Sequence, residues 1–246
     1  MNCAGGLWER PPLAVWRRRT LIGRATAARK VGRTAPSNIA AIASPTVENE
    51  RVVFRSVNRT SPNQIAQIFT FLAVLVGIHL INFIFGMWLT QFGVIPRSVV
   101  GLRGILFSPL LHGDWAHVVA NAVPLGVMLS LLAFIRGRSL WLVTAALWIA
   151  SGVAVWLVGR PGSIQVGASG LIYALAAFLL TAAWVQRDLR SALAALVVIV
   201  LYGGIAWGLL PTRPGVSWEG HLAGAVAGVL VALSSARLTR SGRRNS

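Results

Sequence analysis

One cysteine (Cys3), one lysine (Lys30), two tyrosines and six acidic residues are all that this 246-residue chain holds of those types. A lone cysteine permits no intrachain disulfide and no cysteine-based metal site. No stretch near the N-terminus looks like a signal-peptide core, and no repeat appears at a solenoid period. What remains is dominated by aliphatic side chains. Hydrophobic residues make up 55% of the chain and charged residues only 12%. The mean hydropathy is +0.68, far above that of soluble domains. The aliphatic residues fall in blocks long enough to span a bilayer, so the chain reads as an all-α, polytopic membrane protein. The net charge of +17 invites a nucleic-acid reading, but its arginines lie in the tails and short loops. They form no stripe on a soluble face, so they read as topology signals and nucleic acid is not an expected partner. The near-exclusive use of arginine over lysine suggests a GC-rich bacterial genome.

Residues 1–60 carry eleven basic and three acidic residues and no apolar run long enough for a span. They read as a basic, disordered cytosolic extension. A membrane domain over 61–236 follows, then a short basic tail, 237–246. The domain contains six apolar segments, at 64–89, 115–135, 140–158, 168–185, 191–210 and 220–236. Arg136 and Arg138 follow the second segment, Arg187 and Arg190 the fourth, and Arg237 and Arg240 the sixth. With the basic N-terminus, this places both termini in the cytoplasm and the 90–114 loop outside. That loop is apolar enough (Val94, Ile95, Val99, Val100, Leu102) to lie in the outer leaflet. Segments two, four and six then all begin at the outer face.

Their first residues are the polar ones. Segment two opens on His112, Asp114, His117 and Asn121, with His117 and Asn121 four apart on one helical face. Segment four opens on Gly167-Ala168-Ser169-Gly170, with Tyr173 one turn on. Segment six opens on Glu219-Gly220-His221, followed by Gly224 and Gly228. A serine nucleophile needs a base, usually histidine. An oxyanion needs donors; an amide, an imidazole and the backbone N–H of Ser169 qualify. The Gly220/Gly224/Gly228 stripe allows segments four and six to approach closely, which brings His221 to Ser169 with Tyr173 beside it. Gly167 and Gly170 leave the hydroxyl unshielded. Each residue also has a plainer reading. Ser169 can be a helix cap, and His79 and Asn82 in segment one read as interhelical hydrogen bonds. A metal site at His112 and His117 lacks a thiolate and has only Asp114 near it. A small transporter or channel needs polar residues through the depth of several helices, whereas segment five is almost purely aliphatic.

Gly167-Ala168-Ser169-Gly170, His112-x4-His117-x3-Asn121 and Gly220-His221-x2-Gly224-x3-Gly228 resemble the three signature blocks of the rhomboid intramembrane serine proteases. The resemblance covers about residues 64–236, in the right order. It implies a six-helix bundle of the bacterial type with Ser169 as nucleophile and His221 as general base and acid. It further implies His117 and Asn121 in the oxyanion hole, Tyr173 in support of His221, and no metal or other cofactor. The implied activity is cleavage of transmembrane or membrane-proximal segments of other proteins, within the bacterial cytoplasmic membrane, at a site near the outer face. A catalytically inactive relative that binds membrane clients is the neighbouring alternative. The chain departs from the family pattern in the 90–114 loop, where Leu102-Arg103 stands in place of a Trp-Arg pair. No carboxylate is placed as a third triad member, because Glu219 lies two residues from His221 and off its face.

Overall fold

Asp114, Asp188 and Ser217 each stand directly before an apolar run, and each starts a helix. The Asp114 carboxylate accepts from the backbone N–H of His117 at 2.7 Å. The Asp188 carboxylate accepts from Ser191 N at 3.1 Å and from the Ser191 hydroxyl at 2.8 Å. The Ser217 hydroxyl accepts from Gly220 N at 3.3 Å. These bonds satisfy N–H groups that have no partner within the helix. The computed structural model describes residues 62–211 and 215–244. Its helices are α1 (Pro62–Ile84), α2 (Gly104–Phe107), α3 (Trp115–Arg136), α4 (Leu140–Val158), α5 (Ser169–Gln186), α6 (Leu189–Tyr202) and α7 (Trp218–Arg244). Short 3-10 turns fill Trp88–Phe92, Val100–Arg103, Ser108–Leu110, Gly137–Ser139 and Gly203–Leu209. Among the described residues there is no strand, only an isolated antiparallel bridge between Val94 and Gln165. The expected extension over 1–60 lies outside the described residues.

Among the described residues, five stretches are long and apolar enough to cross a membrane, and one of them, Trp115–Val158, is 44 residues long. As one helix it would reach about 66 Å, twice a bilayer core. Gly137, with φ +50°, breaks it into α3 and α4. The result, among the described residues, is a bundle of six apolar helices.

The segment ends differ from expectation in three places. α1 stops at Ile84 rather than near 89, because Gly86 and Met87 turn the chain with φ +66° and +63°. α6 ends at Tyr202, and the rest of that segment, Gly203–Leu209, is a 3-10 run. α7 continues past 236 to Arg244, since no proline interrupts it. The 90–114 loop is folded rather than extended. The indole N–H of Trp148 donates to Ile105 O at 3.0 Å and that of Trp156 to Ser98 O at 2.8 Å. The Arg97 guanidinium donates to Leu157 O and Gly159 O, both at 3.0 Å. All these contacts fasten the loop to α4. Arg103 donates to Gln91 O at 3.2 Å and covers the Phe92 ring. Val99, Val100, Leu102, Leu106 and Phe107 remain exposed.

α5 is the axis of the bundle. It touches α3, α4, α6 and α7, and Leu171, Leu175, Phe178 and Leu179 are fully buried among them. A helix apolar on all sides belongs in such a position. α7 lies closest to it. A Cβ at Gly224 would run into the Gly170 carbonyl, and one at Gly228 into the Ala174 carbonyl. At Gly170 itself a Cβ would meet only Gly220 O at 3.7 Å and Val155 Cγ2 at 3.8 Å, ordinary contacts. The two glycines therefore differ in a measurable way. Gly224→Ala should force the helices apart and cost ~1–3 kcal/mol. Thermal unfolding in detergent should show this as a lowered midpoint, while Gly170→Ala stays near the wild type. Equal midpoints for Gly224→Ala and wild type would contradict the close approach.

Candidate active site

The first turns of α3, α5 and α7 meet at one end of the bundle. His117, Asn121, Ser169, Tyr173 and His221 all line one cavity of about 710 Å³ there. Asn121 is the seventh residue of α3 and Tyr173 the fifth of α5, so the cavity reaches about one to two turns into the helices.

Ser169 is the half-buried first residue of α5; Ala168, whose methyl group cannot cap, holds the cap position, so Ser169 is not the helix cap. The first bond of the helix runs from Ile172 N to Ala168 O, so the N–H groups of Ser169 and Gly170 have no partner inside it. These are oriented donors at the positive end of the helix dipole, beside the hydroxyl. Gly167 precedes them with φ +111°, and a Cβ there would stand 2.6 Å from His117 Nε2. Only glycine allows both the turn and the approach of the imidazole. The Asn121 amide gives one N–H to His117 O at 2.7 Å, which leaves its second N–H. Asn121 Oδ1 is buried without a partner.

His221 lies one turn into α7. Its ring stacks on Tyr173, with centroids 4.2 Å apart and planes 13° from parallel. Its Nδ1 is 2.9 Å from Gly208 O. A carbonyl can only accept, so Nδ1 carries the proton and Nε2 is left as the basic nitrogen. Glu219 does not serve the imidazole: it pairs with Arg160 at 3.1 Å. The sequence offered no signal for the Gly208 carbonyl, because a backbone acceptor leaves none.

Behind His117 lies a second feature invisible in the sequence. His112 is fully buried, with its ring edge-on to His117 at 5.0 Å and to His79 at 6.4 Å. Burial and then the neighbouring His117 and His79 rings push the His112 imidazole down to about 4, so it is neutral at pH 7. His79 packs edge-on to Trp115 at 4.6 Å, and neither of its ring nitrogens has a hydrogen-bond partner. His79 therefore does not make the interhelical hydrogen bond expected of it. Asn82 departs likewise, since its Oδ1 accepts from Leu89 N at 2.7 Å and caps the turn after α1. Among the described residues, no three histidine, cysteine or acidic side chains are placed to hold a metal ion.

The Rhomboid domain model matches residues 100–237, more than half of the chain and all of the cavity's polar residues named above. The chain belongs to the rhomboid family. Uncharacterized proteins of Mycobacterium bovis and Mycobacterium tuberculosis are each 42% identical to this rhomboid over 175 residues, covering 67% of it and 72% of their own length. An uncharacterized protein of Mycobacterium leprae is 39% identical over 174 residues, covering 67% of the chain and 68% of its own. The matched domain begins after α1, so His79 lies outside it while His112 and His117 lie inside.

Proposed function

We propose that this rhomboid is an intramembrane serine endopeptidase that cleaves transmembrane or membrane-proximal segments of other membrane proteins. The observation that carries this reading is the shared cavity of Ser169 and His221, with Tyr173 stacked on the imidazole. His221 Nε2 takes the Ser169 proton as Oγ attacks the scissile carbonyl. The resulting oxyanion accepts from the Ser169 N–H, the free Asn121 N–H and His117. The protonated imidazole then gives its proton to the leaving amine as the C–N bond breaks. Water from the cavity hydrolyses the acyl-enzyme, with His221 again as base. Every polar group in this scheme belongs to the chain, and no cofactor enters it. Gly167 lets the His117 imidazole come close on the oxyanion side, and Gly224 and Gly228 hold α7 close enough to deliver the His221 imidazole.

The arginine distribution supports an orientation with both termini in the cytoplasm and the cavity near the outer face of a bacterial cytoplasmic membrane. Substrates are then transmembrane proteins reached through the bilayer. A fluorophosphonate tests the chemistry without a known substrate. The purified wild type should be labelled at Ser169, as read by mass spectrometry of the modified peptide. Labelling should fall sharply in His221→Ala. Absence of label from a folded wild type would favour a client-binding rhomboid without catalysis.

A further inference from the structure

The Gly203–Leu209 run touches the imidazole system twice. Gly208 O lies 2.9 Å from His221 Nδ1. Ile205 O accepts from the Tyr173 hydroxyl at 2.5 Å, and the Tyr173 ring is the one stacked on His221. Glu219, two residues before His221, also lines the cavity, but its Oε1 is paired with Arg160. Position 208 is sterically closed. A Cβ there would run into the Tyr173 hydroxyl and lie 3.2 Å from His221 Nδ1. At Gly203 and Gly204, in the same run, a Cβ would meet nothing within 4 Å.

We propose that Gly208 is a positioning residue whose backbone carbonyl does for His221 what a carboxylate does in a serine-protease triad. It holds the proton on Nδ1 and keeps Nε2 free to accept from Ser169. The inference rests on the dyad reading and names what orients its base. A carbonyl suits this site because it fixes the tautomer without placing an ionised group in the membrane, where charge is costly. The glycine is required because the carbonyl reaches Nδ1 only where no side chain stands between the backbone and Tyr173. Both contacts come from one run at the end of α6, so the base is oriented only while that run is seated.

The test compares Gly208→Ala with Gly204→Ala in the purified full chain, using a single-pass membrane substrate. Gly208→Ala should lower kcat at least tenfold with little change in KM, and Gly204→Ala should stay within about twofold of wild type. Nitrogen NMR of ¹⁵N-histidine protein, with His221→Gln to assign the signal, should show Nδ1 protonated in the wild type and a mixture of tautomers in Gly208→Ala. Tyr173→Phe removes the hydroxyl that an added Cβ strikes. The Gly208→Ala/Tyr173→Phe pair should therefore recover part of the kcat lost by Gly208→Ala alone. If Gly208→Ala fails to fold, Tyr173→Phe alone carries the test: it cuts the tie to Ile205 and should loosen the tautomer preference. Wild-type kcat and tautomer in folded Gly208→Ala, or an equal loss in Gly204→Ala, overturns the proposal. So does an unaltered spectrum in Tyr173→Phe where that variant carries the test. A wild type that takes no fluorophosphonate removes the dyad reading instead, and the imidazole spectrum still decides what Gly208 does.

Discussion

Purified Ser169→Ala, free of contaminating protease, is expected to cleave a single-pass membrane substrate roughly 10⁴-fold more slowly than the wild type, or not at all. His221→Ala should fall to the same floor, and the double variant should go no lower. In the proposed dyad serine and histidine act as one unit, because without the base the hydroxyl is a poor nucleophile and without the hydroxyl the base has nothing to activate. Both residues are half-buried at the cavity wall, and neither is part of the fully buried core. The loss should therefore appear in kcat, with thermal unfolding little changed. Additive losses in the double variant would show that the two residues do not share a step. Robust cleavage by Ser169→Ala would remove the proteolytic assignment altogether.

Asn121→Ala should lower kcat by roughly 10²–10³, the usual cost of one oxyanion donor, with KM little affected. The amide is nearly fully buried at 3% exposure, and one of its N–H groups is spent on His117 O. Only the second N–H is available to a developing oxyanion, so its removal acts on the transition state more than on the substrate. Asn121→Asp is the sharper variant. It keeps the volume but places a carboxylate where negative charge develops, and it should be at least as slow as alanine. An Asn121→Ala protein that is folded and turns over at the wild-type rate would take this side chain out of the mechanism.

The bundle was legible in the sequence because apolar runs of bilayer length leave few other outcomes. The meeting of Ser169, His221, His117 and Asn121 was legible for a related reason: alternating helix directions put the starts of α3, α5 and α7 at one end. The spacing of Gly224 and Gly228 showed which face of α7 comes close, though not that Gly224 seats on the Gly170 carbonyl. Where the reading departed from the structure, backbone conformation had decided. The left-handed turn at Gly86 and Met87 cut α1 short. The change from α to 3-10 at Gly203 coincides with three glycines in seven residues, Gly203, Gly204 and Gly208, but glycine weakens a helix without saying which conformation replaces it. The environments of His79 and Asn82 were misread for the same cause. Whether a buried polar side chain bonds across to a helix, to its own turn, or to nothing depends on where loop backbone passes, and periodicity does not carry that.

α6 proper, at 14 residues, rises about 21 Å, well short of the roughly 30 Å hydrocarbon layer. The seven residues of Gly203–Leu209 complete the crossing, and as a 3-10 run they add about 14 Å. Runs of that length are uncommon in 3-10 form, and rewinding this one as α-helix would shorten it to about 10 Å. Leu193, Leu196, Ile199, Val200 and Leu201 on α6 are exposed, a face apolar enough to meet lipid. Hydrophobic mismatch is then taken up by the segment that carries Gly208. On the proposed dyad reading, the thickness of the surrounding bilayer thereby becomes an input to the orientation of His221, and the lipid composition of the membrane a setting on the site.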